Sequence, residues 1–137
     1  VVIEEALYLH LSTEASVALL ASTRGYPLTI PQDVSLPAWA YQRIAGDRVL
    51  AHDGVVRYAR ALIQITAQGP TYNEAKDLMN AIRQALDGFT GQMGSGGAPG
   101  NGGVWVFRTL GRGEIDGYGT ASPVFTVRMD FEIEYRE

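Results

Sequence analysis

The sequence predicts an α+β fold: a mostly antiparallel four-stranded sheet with two helical segments packed on one face. Three observations predict it. Residues 57–68 and 125–135 alternate apolar and polar side chains with the period of two that puts one strand face in a core. Residues 3–21 and 72–86 instead space their apolar side chains by three and four, as one face of a helix does. Apolar strand faces demand a cover, and the two helical segments supply it.

The elements follow in the order helix, strand, strand, helix, strand, strand. Ile3, Ala6, Leu7, His10 and Leu11 share the first helical face, and Val17, Leu20 and Ala21 continue it after an interruption near Ser12 or Thr13. Gly25 ends this helix. Residues 26–37 hold three prolines and read as an extended connector, because proline lacks the donor that a ladder or helix needs. Trp39 to Ile44 is the first strand, with Trp39, Tyr41 and Arg43 on one side. In the second, 57–68, Ala59, Ala61, Ile63, Ile65 and Ala67 face the core. Thr71 and Glu74 form a capping box for a helix that runs to Leu86, with Ala75, Leu78, Met79, Ile82 and Leu86 as its stripe and Gly88 as its stop.

Residues 91–103 include seven glycines and read as a flexible loop. Val104 to Leu110 is the third strand, and 111–123, with four glycines and a proline, reads as a long hairpin loop. The fourth strand places Phe125, Val127, Met129, Phe131, Ile133 and Tyr135 on one face and Arg128, Asp130, Glu132, Glu134 and Arg136 on the other. The 137 residues are read as one domain.

Composition narrows the function. Charged residues make up 19% against about 25% in ordinary globular domains, which suggests that a partner covers part of the surface. The net charge is -4, and no basic tract marks a general nucleic-acid binder. The absence of cysteine excludes disulfide and thiol chemistry. No apolar run approaches the roughly 20 residues that span a bilayer, so no membrane partner is expected. The opening lacks the basic region of a secretion signal, and the expected origin is cytoplasmic.

No constellation amounts to an active site. His10 and His52 lie far apart and lack metal-ligand spacing, so neither a metal nor a cofactor is expected. His52 beside Asp53 could pair a base with its orienter, but a polar turn explains both. The glycine run lacks the ending of a phosphate loop. Asp130, Glu132 and Glu134 share a strand face, where a solvated or intersubunit surface with Arg128 and Arg136 is favoured over an acid–base pair.

Four segments carry a joint pattern: IEEALYLHLS from residue 3, YPLTIPQDVSLPAWAYQRIAG from 26, ALIQITAQGPTYNEAKDLMNAIRQALDGF from 61, and FTVRMDFEIEYRE from 125. Together they resemble the tail-completion or tail-terminator proteins of long-tailed phages and tail-like particles. The resemblance implies a non-catalytic subunit that closes into a homo-oligomeric ring, usually six-fold. Such a ring binds the last ring of tail-tube protein, stops tube growth and offers a surface to a head-side connector or completion protein. DNA would pass through a polar lumen without specific binding. The expected place is the head-proximal end of a virion tail or tail-like particle, assembled in the host cytoplasm. On this reading Gln92, Met93, Ala98 and Asn101 are candidate tube or intersubunit contacts. Arg128, Asp130, Glu132, Glu134 and Arg136 form a candidate intersubunit or lumen face. Another head–tail neck protein is the alternative, and a small-molecule-binding or hydrolytic domain around His52, Asp53 and the acidic strand is a more distant one.

Overall fold

The computed structural model describes residues 3–31, 34–51, 54–94, 104–119 and 124–136, with backbone alone at 47–51, 54–57 and 119. The chain forms α1 (Ile3–Thr13), α2 (Ala15–Ala21), β1 (Gly25–Pro27), β2 (Ala38–Ala51), β3 (Gly54–Gly69), α3 (Tyr72–Leu86), β4 (Gly91–Met93), β5 (Val104–Gly119) and β6 (Val124–Arg136). The strands make one sheet in the order β1-β2-β3-β6-β5-β4. β1 runs parallel to β2, and every other pair is antiparallel.

The expected four strands and two helical segments are therefore corrected to a six-stranded mixed sheet with three helices. The helical segment breaks at Glu14. Thr13 Oγ1 donates back to Leu9 O at 2.6 Å, and such back-bonding competes with the helix ladder. β1 lies inside the proline-rich connector. Pro27 is tolerated there because β1 is an edge strand and needs no donor on its outer side. β4 occupies the start of the glycine-rich segment. Most of the expected hairpin loop at 111–123 is the second half of β5.

Glycines misled the reading of β5, and three of its four have a local cause. Gly113, at φ 51°, is the extra residue of a bulge between Arg112 and Glu114. A Cβ on Gly111 would sit 2.5 Å from Met129 Cε, and one on Gly117 would sit 2.6 Å from Thr126 Oγ1. These positions are glycine because side chains from β6 lie across them.

The core matches the alternation read from the sequence. Ala59, Ala61, Ile63, Ile65 and Ala67 of β3 are fully buried, as are Val127, Phe131 and Ile133 of β6. α3 lays Ala75, Leu78, Met79, Ile82 and Leu86 on them. Thr71 caps α3, accepting from the Glu74 N–H at 3.2 Å. Trp39 is the largest fully buried side chain, and a Cβ on Gly25 would come within 2.3 Å of its ring. α1 packs beside β4, where the Gly94 backbone passes over Ala6. Among the described residues the three helices lie on the core side of the sheet, and no helix lies over the other face.

Candidate interface on the uncovered sheet face

The register fixes which residues share the uncovered face. Across β3, β6 and β5 its rows are Arg60–Glu134–Arg108, Leu62–Glu132–Leu110, Gln64–Asp130–Arg112 and Thr66–Arg128–Ile115. Two acids of β6 find partners on β5, and the third finds one on β3. Arg108 pairs with Glu134 at 3.4 Å and Arg112 with Glu132. Gln64 Nε2 donates to Asp130 Oδ1 at 3.4 Å. The Arg128 and Arg136 side chains make no polar contact among the described residues, although the sequence suggested them as partners for the acids. Exposed ion pairs of this kind contribute about 0–1 kcal/mol each, so the ladder orders side chains more than it stabilises the fold. Burial, and then the Glu134 carboxylate, hold the Tyr58 phenol above its ordinary pKa.

The face divides into two chemistries. Gln42, Gln64, Thr66, Gln68, Thr126 and Arg128 line an open trough of about 500 Å³. Leu28 and Ile30 stand at its β2 rim. Along β5 the same face carries Trp105, Leu110 and Ile115 among the arginines, and Phe107, the extra residue of a second bulge, stacks on Tyr58 at 5.8 Å. The sequence reading placed Trp105 to Leu110 on a strand but missed the Ile115 part of this flank, because it gave residues 111–123 to a loop. The recurrence of Leu110, Ile115 and Tyr118 between the glycines was the available signal.

The far end of β5 is fastened to the start of α3 on the covered side. Lys76 Nζ lies 3.0 Å from Glu114 Oε2 and 2.9 Å from Asp116 Oδ1, and the Tyr72 hydroxyl donates to Asp116 Oδ2 at 2.8 Å. Lys76, and then Tyr72, lower the pKa of Asp116. Asp116, and then Glu114, raise that of Lys76. Asp116 therefore adds stability above the ordinary aspartate range and loses it as pH falls through its lowered value. Lys76 adds stability below the ordinary lysine range and loses it as pH rises through its raised value. The fastening is complete at neutral pH. Lys76→Ala should bring the Asp116 carboxyl back up towards the ordinary range, read by carbon NMR titration. An unchanged Asp116 titration would show that the contact is not made in solution.

The remaining sequence candidates fall in different places. Met93 is fully buried and pairs with Val104, so it belongs to the core rather than to a contact loop. Gln92 is exposed beside Trp105. Ala98 and Asn101 lie outside the described residues, as do His52 and Asp53. His10 Nε2 lies 3.0 Å from Ala85 O, and its ring stacks on Phe89 at 4.4 Å, which makes it a packed histidine. Among the described residues no cluster of His, Asp or Glu could hold a metal ion, and no helix is long and apolar enough to cross a membrane.

The family follows from the sequence: residues 5–117 match the family described as Tail completion protein gp17, and the chain belongs to that family. It is a non-catalytic structural protein of the tail-completion or terminator type, from a phage-tail-like particle. No curated protein matches the sequence. Among solved structures the fold is similar to a chain from the virion of a native gene transfer agent particle. The TM-score is 0.72 at 16% identity, covering 98% of this chain and 95% of that one.

Proposed function

We propose that this subunit closes into a homo-oligomeric ring, a hexamer, which caps the head-proximal end of the tail tube. The ring stops tube polymerisation and presents its other surface to the head-side connector or completion protein. The observation that carries this reading is the polar trough flanked by apolar rims on a sheet face that no helix covers. A polar wall suits a lumen through which DNA passes without being held, and apolar rims suit contacts between neighbours. Arg128 is the one charged side chain among the trough's lining residues, and Glu132 and Glu134 beside the trough are paired with Arg112 and Arg108, so the wall is polar with little net charge. Gln92, with Ala98 and Asn101 beyond it, is the proposed contact to the tube or to a neighbour.

The test is to purify the protein, measure its mass by light scattering, and add it to polymerising tail-tube protein. The expected result is one discrete species near six subunits, with tubes capped at one end. A strictly monomeric protein that leaves tube growth unchanged would overturn the reading. Imaging the protein inside a particle would separate a terminator from another neck protein.

A further inference from the structure

Exposed large apolar side chains concentrate on one strand. Trp105, Phe107, Leu110 and Ile115 all belong to β5, and Trp105 and Ile115 are 46% and 62% exposed. They alternate with Arg108 and Arg112 beside a trough floored by glutamine and threonine. Tryptophan and arginine are enriched among the residues that carry binding energy at protein interfaces. β5 has 16 residues, which at about 3.3 Å each makes a strip about 50 Å long. At one to two strand widths of about 4.8 Å this is a flat area of about 250–500 Å², a third to over half of the 800 Å² or so per partner of a standard stable interface.

The opposite flank of the sheet offers a match. β2 has 14 residues, so its length is similar. Its bulge residue Ile44 is exposed, and Leu28, bonded to β2 at Tyr41, is 70% exposed. Leu28 also holds a left-handed backbone, at φ 66°, and its N–H donates to Tyr41 O. A non-glycine residue kept in that conformation costs of order 1 kcal/mol or more, and such strain concentrates at functional contacts. The long strands β2, β3, β6 and β5 alternate in direction, so the two flanks run in opposite senses. A rotation that carries one subunit to the next therefore sets β5 against an antiparallel β2.

We infer that the β5 flank, centred on Trp105, Phe107, Leu110 and Ile115, is covered by the β2 flank of a second copy of this chain, through Leu28 and Ile44. This deepens the ring reading and rests on it. The contact is heterologous, head to tail, which is the kind of contact that closes a ring. It runs through side chains more than through a continuous ladder, because both edges are partly capped. β1 covers the start of β2 and β4 the start of β5. Gly88 N–H donates to Thr109 O at 2.9 Å, and Gly111 N–H donates to Asp87 Oδ1 at 3.1 Å.

The test uses Ile115→Asp and Leu28→Asp, with native mass spectrometry as the readout and far-UV circular dichroism as a folding control. Each variant alone should raise the concentration needed for assembly by at least about tenfold. A mixture of the two keeps one intact β5 flank and one intact β2 flank, on different chains. It should give a heterodimer that grows no further. Rings from either variant at parental concentrations, or a mixture without the heterodimer, would overturn this interface while leaving the ring intact as a reading. A parent chain that never assembles would overturn the ring itself and this interface with it.

Discussion

Phe131→Asp is expected to leave a chain that does not hold its fold. Phe131 is fully buried at the centre of β6, opposite Ile63 on one side and Gly111 on the other. Removing such an aromatic to alanine costs about 3–5 kcal/mol, and an unpaired carboxylate in its place should cost at least as much. Small domains have about 5–15 kcal/mol in total, so this one change removes much or all of the margin. Thermal denaturation is the check. A midpoint equal to that of the parent would show that Phe131 is not where the register puts it.

Gly94→Ala is the second large expected effect, and it acts through the backbone. Gly94 has φ 69°, a conformation that disfavours any side chain by about 1–2 kcal/mol. Its added Cβ would also lie 2.5 Å from Ala6 Cα and 2.8 Å from Ala6 O. Main chain cannot swing aside as a flexible side chain does, so β4 must lift from α1, and overpacking of this kind costs about 1–3 kcal/mol. A loss of about 2–5 kcal/mol is expected in denaturant unfolding. Gly88→Ala is the useful contrast, because its Cβ meets nothing within 4 Å although its φ is also positive. Equal losses from the two would remove the steric part of the argument.

How far the fold could be read from the sequence depended on whether a local pattern was interrupted. α3 was legible from its cap at Thr71 to its last apolar residue, because a capping box and an unbroken stripe agree. β6 was legible because its residues alternate from Phe125 to Arg136 without a glycine or proline. β1 and β4 were not, because three residues carry no period and their strand state is set by the partner they lie against. β5 was half legible. Its glycines mark a bulge and close approaches of β6 side chains, and those are tertiary causes. That Arg128, Asp130, Glu132, Glu134 and Arg136 share one side of β6 was legible from the alternation. Their ion-pair partners were not, because Arg112 lies in the misread half of β5 and Arg108 lies opposite Glu134 only after a bulge shifts the register. Met93 was lost to the core for a related reason: a single methionine among glycines looks like part of a linker until α1 is packed beside it.

The division between a buried and an exposed indole has a practical consequence. The chain has two tryptophans. Trp39 is sealed in the core against Gly25, and Trp105 stands half open on β5. In the lone subunit a soluble quencher such as iodide reaches the emission of Trp105 and not that of Trp39. Unfolding opens the first indole to the quencher, whereas covering the β5 flank closes off the second. One fluorescence cuvette can therefore distinguish a subunit that has lost its fold from one that has found a neighbour, with no label attached.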